Sequence, residues 1–239
     1  VGGTGIKGAA VGADGQMIGE RVRLDTTYPL PPEGLVDMIA EIARRSPATQ
    51  RASIGFPGMV RAGRILSAPH FVTKKGPGSA VVPQLQALWQ DYHLSNAVDQ
   101  RLSLPTRLAN DADTQGLAAI EGDGLELVIT LGTGIGTAVF LDGQLAPHIE
   151  LSHHPLTKGK TYNEYVGDAA RKKVGDKKWS KRVQQTVDQL YQLTFFDRLY
   201  IGGGNAEQLT DAFTTQAVVV PNADGILGGA KLWTLLRVP

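Results

Sequence analysis

Apolar residues along this chain change period repeatedly, and each change marks an element. Ile6 to Val11 and Met17 to Leu24 read as strands, with Asp14-Gly15 as the hairpin turn signal between them. After the Pro29-Leu30-Pro31-Pro32 loop, Leu35, Met38, Ile39 and Ile42 recur at helical spacing and predict a helix from Glu33 to Arg45. Ala52 to Phe56 reads as a short buried strand stopped by Pro57-Gly58, Val60 to Leu66 as another hairpin arm, and Val82 to Tyr92 as helix. Thr73 to Ser79, with two glycines, a proline and two lysines, reads as a mobile loop. A strand at Thr106 to Ala109 leads into Asn110-Asp111 and a helix through Leu117 to Ile120. The apolar strand Leu125 to Leu131 runs into Gly132-Thr133-Gly134-Ile135-Gly136, and Thr137 to Leu141 leaves that turn toward Asp142-Gly143. Leu199 to Ile201, closed by Gly202-Gly203-Gly204-Asn205, and Val218 to Val220 are later strands, and Ile226 to Leu236 a terminal helix.

Strand, glycine turn, strand, Asp-Gly turn thus occurs twice. Gly3-Thr4-Gly5-Ile6 matches Gly132-Thr133-Gly134-Ile135, and Asp14-Gly15-Gln16 matches Asp142-Gly143-Gln144. The pattern predicts a duplication: two α/β lobes, each opening with a glycine-turn hairpin, facing each other across a cleft. A tight turn needs one glycine, whereas bare backbone amides approaching an anion need several side chains removed. Neither turn is a Walker A loop, since no Gly-Lys-Ser/Thr follows, and neither opens a helix as a dinucleotide fingerprint must. Lys7 projects from the first hairpin toward either a phosphate or solvent.

Composition narrows the class. The chain has 239 residues, 42% of them hydrophobic, with 24 Lys or Arg against 23 Asp or Glu, a net charge of +1. That excludes disorder as the main state and a protein-wide coat for nucleic acid or membrane. No apolar run approaches ~18 residues and no signal peptide is visible, so a soluble, cytoplasmic protein is expected. Cysteine is absent, which excludes disulfides, thiolate zinc sites and thiol nucleophiles. Between Arg171 and Arg182, however, seven basic residues face one Asp, a local charge of 7 − 1 = +6. A polyanion fits that stretch, nucleic acid or inorganic polyphosphate.

Asn110-Asp111 lies where a strand ends and a helix begins. Asp111 there is either an N-cap or a carboxylate poised to take a hydroxyl proton, and Asp113 is the plainer capping candidate. Glu150, His153 and Glu164, with His148 and His154 nearby, gather titratable side chains in a weakly structured stretch. No His-x₃-His pair exists and Pro155 interrupts the segment, which argues against zinc. Carboxylates and imidazoles without a metal suit a ligand with several hydroxyls, such as a sugar.

With two phosphate turns, an Asn-Asp and a Glu-x-x-His assembled, the chain resembles the ROK family (repressor, open reading frame, kinase), and within it the polyphosphate glucokinases. The resemblance rests on Gly2-Gly3-Thr4-Gly5-Ile6-Lys7-Gly8, Gly55-Phe56-Pro57-Gly58, Asn110-Asp111-Ala112-Asp113, Leu131-Gly132-Thr133-Gly134-Ile135-Gly136 and Gly202-Gly203-Gly204-Asn205. It implies the two-lobed actin-like, ribonuclease-H-type α/β fold with a central cleft. Residues 1–110 would form the small N-terminal lobe, its first strand cut short, 111–225 the large lobe, and 226–239 a terminal helix returning to the N-terminal lobe. It further implies glucose phosphorylation at the 6-hydroxyl with polyphosphate, ATP or both, Asp111 acting as general base. Gly58, Asn110, Glu150, His153 and Glu164 would contact the sugar. Gly2, Gly3, Thr4, Gly5, Lys7, Gly132, Thr133 and Gly134 would take phosphate, and Gly203 and Gly204 a nucleotide. Lys172, Lys173, Lys177, Lys178, Lys181 and Arg182 would line the polyphosphate. Mg²⁺ with the donor phosphates, no zinc, a homodimer, and neither nucleic acid nor membrane as partner complete the expectation. The alternatives are a strictly ATP-dependent hexose or amino-sugar kinase and a non-catalytic sugar sensor.

Three departures stand out. The family's Cys-rich zinc loop is replaced by Thr157 to Gly167, the Asp expected directly before Val1 is missing from this chain, and His70 stands where the family often has Asn. The missing Asp would leave the chain truncated or catalysis impaired.

Overall fold

The computed structural model describes residues 1–12, 15–157, 159–220 and 226–239. Asp14 of the expected first Asp-Gly turn lies outside the described residues, as does Lys158. The chain divides into two compact units, Val1–Ala118 with Gly225–Pro239, and Ala119–Asp224.

In the first unit, β1 (Gly5–Val11) and β2 (Met17–Asp25) pair antiparallel, Ile6 opposite Leu24. Helix α1 (Pro32–Arg45) starts on a proline whose fixed φ suits the first helical position. Glu33 in its first turn and Arg44 and Arg45 in its last oppose the helix dipole, and Leu35, Val36 and Ile42 are buried. Strand β3 (Ala52–Phe56) follows, and then β4 (Val60–Arg61) and β5 (Arg64–Ile65), which pair with each other. Val60 to Leu66 therefore holds a whole hairpin and not one arm, because Ala62 and Gly63 both take positive φ between the two strands.

The Thr73 to Ser79 segment is closed rather than loose: Thr73 bridges Val81, and Lys74 N–H donates to the Ala80 carbonyl at 2.9 Å. The helix expected over Val82 to Tyr92 is α2 (Pro83–Trp89), and a further helix that the pattern did not predict, α3 (Leu94–Leu102), follows it. Asp91 at φ 59 breaks the helical path, and the His93 ring accepts from Asn96 N–H to start the second. Strand β6 (Thr106–Asn110) lies parallel to β3 and feeds directly into α4 (Asp111–Ala119). Phe71 stacks on Trp89 in the core with Phe56 tilted against both, and the Trp89 indole N–H donates to the Leu30 carbonyl.

The second unit is built on a five-stranded sheet. Its β7 (Leu125–Leu131) and β8 (Ile135–Leu141) flank the second glycine turn, and β9 (Gln144–Leu145) returns after Asp142-Gly143, both at positive φ. A small hairpin of β10 (Pro155–Thr157) and β11 (Lys160–Thr161) leads to α5 (Tyr162–Val166), α6 (Asp168–Val174) and α7 (Asp176–Thr194). Strands β12 (Arg198–Gly202) and β13 (Val218–Val219) complete the order β13-β12-β7-β8-β9. Strand β7 is hydrogen-bonded on both sides, which is why it reads as a continuous apolar run. Its one acid, Glu126, is fully buried and accepts from the amides of Glu121 and Gly122 and the Tyr200 hydroxyl.

The terminal helix is shorter than its pattern. Only α8 (Gly228–Lys231) is helical, and the Arg107 guanidinium takes the carbonyls of Leu232 and Leu235 that a longer helix would use itself. This segment belongs to the first unit: Gly228 seats on α4, where a Cβ would lie 1.8 Å from the Thr114 carbonyl, and the Trp233 indole donates to Ser53. Gly55 of β3 also meets Thr114, so α4 stays with the first unit and the division falls after Ala118, not after 110.

Candidate active site

The first glycine turn has its carbonyls tied inward. Thr26 Oγ1 donates to Gly2 O at 2.8 Å and the Tyr28 hydroxyl to Gly3 O at 2.7 Å. Among the described residues, the amides of Gly2, Gly3 and Thr4 donate to no acceptor. Successive unpaired amides beside a threonine hydroxyl form an anion-binding concavity. The turn is also crowded: a Cβ on Gly2 would lie 2.9 Å from Gly5 O, one on Gly3 2.7 Å from Pro77 and one on Gly5 2.9 Å from Arg23. The Val1 nitrogen donates to Gly55 O at 2.9 Å, and a Cβ on Gly55 would lie 3.4 Å from the Asp111 Cα, so Asp111 starts its helix beside this turn.

The second turn is held from a different side. Gly132 O accepts from the Asp168 amide at 3.0 Å and from Asn205 Nδ2 at 3.1 Å, and Gly132 N–H is turned in on Gly134 O. The amides of Thr133 and Gly134 take no acceptor among the described residues. Gly132 has nothing within 4 Å of where a Cβ would stand, and it needs no positive φ, so neither packing nor backbone geometry asks for glycine there. Gly203 is explained differently, at φ +88 with Leu131 O 2.3 Å from a Cβ, and it packs the Gly-Gly-Gly-Asn turn onto the end of β7.

At the β6–α4 junction, Asn110 is the cap. Its Oδ1 accepts from Ala112 N–H at 2.7 Å and its Nδ2 donates to Gly58 O at 2.9 Å. Asp113, expected to cap, is instead buried inside the helix at 2% exposure. Asp111 stands exposed on the first helical residue, its Oδ1 accepting from the Ala112 amide at 3.0 Å. Gly58 is required by close approach, since a Cβ would sit 2.2 Å from Ser67 O.

The stretch read as weakly structured is ordered by local bonds. Glu150 accepts from the Ser152 amide at 2.9 Å and from its hydroxyl. Glu164 Oε2 accepts from Thr161 N–H while Thr161 Oγ1 takes Glu164 N–H, a capping box that starts α5. Ser152 and His154 carbonyls accept from the amides of Asn163 and Tyr162, which brings the Glu150–His153 segment against the start of α5 and Glu164. His153 is exposed and His148 buried. No three His, Asp or Glu side chains converge among the described residues.

The basic stretch divides. Arg171 pairs with Asp168 and Asp176, and Lys172 pairs with Asp168 at 2.6 Å. The hydrogen bond from Lys172, then that from Arg171, holds the Asp168 carboxyl below its ordinary range. Arg182 lies over the Tyr165 ring at 4.8 Å and donates to its carbonyl. Lys173, Lys177, Lys178 and Lys181 are exposed and carry no ion pair among the described residues.

Sequence reasoning missed Thr26, Tyr28, Asn163 and Asn205, the side chains that support the two turns. For Asn163 a signal existed: Thr161-Tyr162-Asn163-Glu164 is a capping-box pattern and marks a helix start. Hydroxyls reaching back some twenty residues to a carbonyl leave no such trace.

The profile of the ROK family matches residues 1–149. Polyphosphate glucokinase from Mycobacterium tuberculosis is 29% identical over 96% of this chain and 88% of its own length. N-acetylmannosamine kinase from Escherichia coli is 34% identical over 61% of this chain and 47% of its own length. The solved inorganic polyphosphate/ATP-glucomannokinase from an Arthrobacter species superposes with a TM-score of 0.78 at 29% identity, covering 97% of this chain and 94% of its own. A ROK family glucokinase from Streptomyces griseus, solved with glucose and AMPPNP, superposes at 0.74 and 18% identity over 97% of this chain and 96% of its own, a likeness of fold. These likenesses bear out the expected α/β, actin-like sugar-kinase fold class.

Proposed function

The chain belongs to the ROK family, and from that premise we propose that it is a sugar kinase transferring a phosphoryl group from inorganic polyphosphate or ATP to the 6-hydroxyl of glucose. The observation that carries this reading is Asp111, an exposed carboxylate at the start of α4, beside a glycine turn whose carbonyls are tied back and whose amides take no acceptor. Asp111 takes the proton of the 6-hydroxyl as the sugar oxygen attacks the terminal phosphorus. The new P–O bond forms as the bond to the donor's leaving phosphate breaks, and the leaving group carries away its electron pair. Asn110 fixes the helix start on which Asp111 stands. Glu150, His153 and Glu164 hold sugar hydroxyls, and Gly58 lies near the sugar.

Phosphoryl transfer depends on position and charge neutralisation more than on covalent chemistry. The turn amides at 2–4 and 133–134, with Lys7, meet the donor's phosphate oxygens, and Gly203 and Gly204 lie near a nucleotide. A Mg²⁺ carried by the donor phosphates would complete the charge neutralisation, since Mg²⁺ usually keeps its waters and binds through substrate phosphates with few protein ligands. Bound there, Mg²⁺ supplies positive charge to the phosphates. Lys173, Lys177, Lys178 and Lys181 favour polyphosphate as donor, in line with the relatives' names. A cytoplasmic homodimer is part of the same reading.

The strictly ATP-dependent alternative draws on the pairing of Arg171 and Lys172 with acids, which takes charge out of the stretch a polyphosphate would follow. Rates with ATP and with polyphosphate separate the two. Asp111→Asn should lower turnover by about 10²–10⁴-fold with glucose binding kept, the usual range for a lost general base. Undiminished turnover in that variant overturns the reading.

A further inference from the structure

We infer that Asn163 is a positioning residue that locks the donor-phosphate turn to the sugar-binding segment, so that neither site can shift without the other. The inference rests on the kinase reading above and gives it an internal coupling.

Three groups of this one residue reach three places. Its Oδ1 accepts from Ile135 N–H at 2.9 Å, at the exit of the second glycine turn. Its own N–H donates to the Ser152 carbonyl at 3.0 Å, and Ser152 is the residue whose amide and hydroxyl hold Glu150. Its carbonyl accepts from Gly167 N–H at 2.9 Å, closing α5. Glu164, the second proposed sugar carboxylate, is its chain neighbour and is fixed by the capping box of the same helix.

The fit leaves no slack. A Cβ on Gly134 would lie 2.2 Å from Asn163 Oδ1 and 2.7 Å from its Cγ, and one on Gly167 would lie 2.6 Å from the Thr133 carbonyl. Gly134 carries no positive φ, so its lack of a side chain is explained by the Asn163 carboxamide seated against it. With no side chain on Gly134 to hold them apart, the carboxamide packs directly on the turn backbone and is tied to it by the Ile135 hydrogen bond, and closely packed groups joined in this way move together. A displacement of the turn on donor binding is therefore transmitted through Ile135 and Gly134 to Asn163, and on to Ser152 and Glu164. A purely structural pin would stabilise the unit without linking affinity for sugar to the state of the donor turn.

The test is a double-mutant cycle on the full chain. It uses Asn163→Ala, Gly134→Ala and the double variant, with Asn163→Asp as the conservative replacement that keeps an acceptor for Ile135 N–H. Glucose binding is measured by calorimetry without donor, alongside the KM for donor. Each single variant should weaken glucose binding and raise donor KM together, by about fivefold to tenfold, as for one lost hydrogen bond. The double variant should be no worse than Asn163→Ala, because the added methyl then meets no carboxamide, and Asn163→Asp should bring glucose binding back toward wild type. Effects that add in the double variant, or a Gly134→Ala that changes donor KM with glucose binding untouched, overturn the coupling. Failure of the kinase reading shows separately, as absence of phosphoryl transfer in the wild type.

Discussion

The two glycine turns share a tetrapeptide and almost nothing else. In the first, hydroxyls of Thr26 and Tyr28 hold the carbonyls, and Gly2, Gly3 and Gly5 are each crowded by neighbouring atoms. In the second, Asn205 and the first amide of α6 hold a carbonyl, Asn163 crowds Gly134, and Gly132 faces open space. A repeated motif thus preserves what a phosphate would touch, the bare amides, while each unit supplies its own scaffolding behind them. Glycine thus makes room for the protein's own atoms at Gly2, Gly3, Gly5 and Gly134, whereas at Gly132 no atom of the protein stands within 4 Å of a Cβ.

Alanine substitution breaks that comparison most sharply. Gly132→Ala puts a methyl where nothing of the protein stands, so folding should be unaffected while donor KM or turnover suffers by about 100-fold, the scale of a roughly 1 Å misplacement at a reacting centre. Gly3→Ala drives a methyl to 2.7 Å from Pro77 and should destabilise the first unit by about 1–3 kcal/mol, as overpacking does. Melting curves read beside donor kinetics check both. Equal loss of stability in the two variants would erase the distinction.

What the sequence made legible follows the same line. The strands Ala52–Phe56 and Leu125–Leu131 were bounded by their own apolar runs and their turn residues, and the two glycine turns by their repetition. Helix α3 was missed because the His93 ring starts it, a cap outside the Ser, Thr, Asp and Asn set that marks a helix start in sequence. The terminal helix was overdrawn because the Arg107 guanidinium that ends it comes from β6, far away in sequence. At the site, Asp111 and Asn110 stood out at a strand end, and both accept from the Ala112 amide; their division of labour depended on burial, since Asn110 is buried and tied to Gly58 while Asp111 is exposed. The +6 stretch was correct as arithmetic and misleading as a stripe, since Asp168 lies just outside it and Asp176 inside it.

That division among the cations gives the next contrast. Helix α6, whose first amide supports the second turn, and α7 beyond it carry the unpaired lysines. Replacing Lys177, Lys178 and Lys181 together by Ala should raise the KM for polyphosphate about tenfold, on a scale of roughly 0.5 kcal/mol for each exposed charge pair, and should harm the ATP reaction less. Lys172→Ala should do less than any of the three, because Lys172 is already paired with Asp168. The Asp168 carboxyl is held below its ordinary range, so this pairing is complete above the unfolded value of about 3.9 and is lost only as pH falls through the lowered folded value. Kinetics at neutral pH therefore see Lys172 neutralised. Equal harm to both donors would assign the lysines to folding or assembly.

The smallest effect tests the scaffolding of the first turn alone. Tyr28→Phe removes the hydroxyl that holds the Gly3 carbonyl and keeps the ring that Gly76 and Phe71 pack against. The freed carbonyl lies in a partly buried turn, so its loss should cost about 1 kcal/mol, or about 2–4 °C in melting temperature for a protein of this size. Because Thr26 still ties down the adjacent Gly2 carbonyl, the amides of Gly3 and Thr4 should keep their direction and donor KM should rise by no more than about threefold, within the worth of one neutral hydrogen bond. Thr26→Ala combined with Tyr28→Phe removes both ties, and donor KM should then rise by more than the product of the single effects, since either carbonyl alone is enough to orient the turn. Simple additivity would mean that the first turn, unlike the second, is held by its crowded glycines and not by its carbonyls.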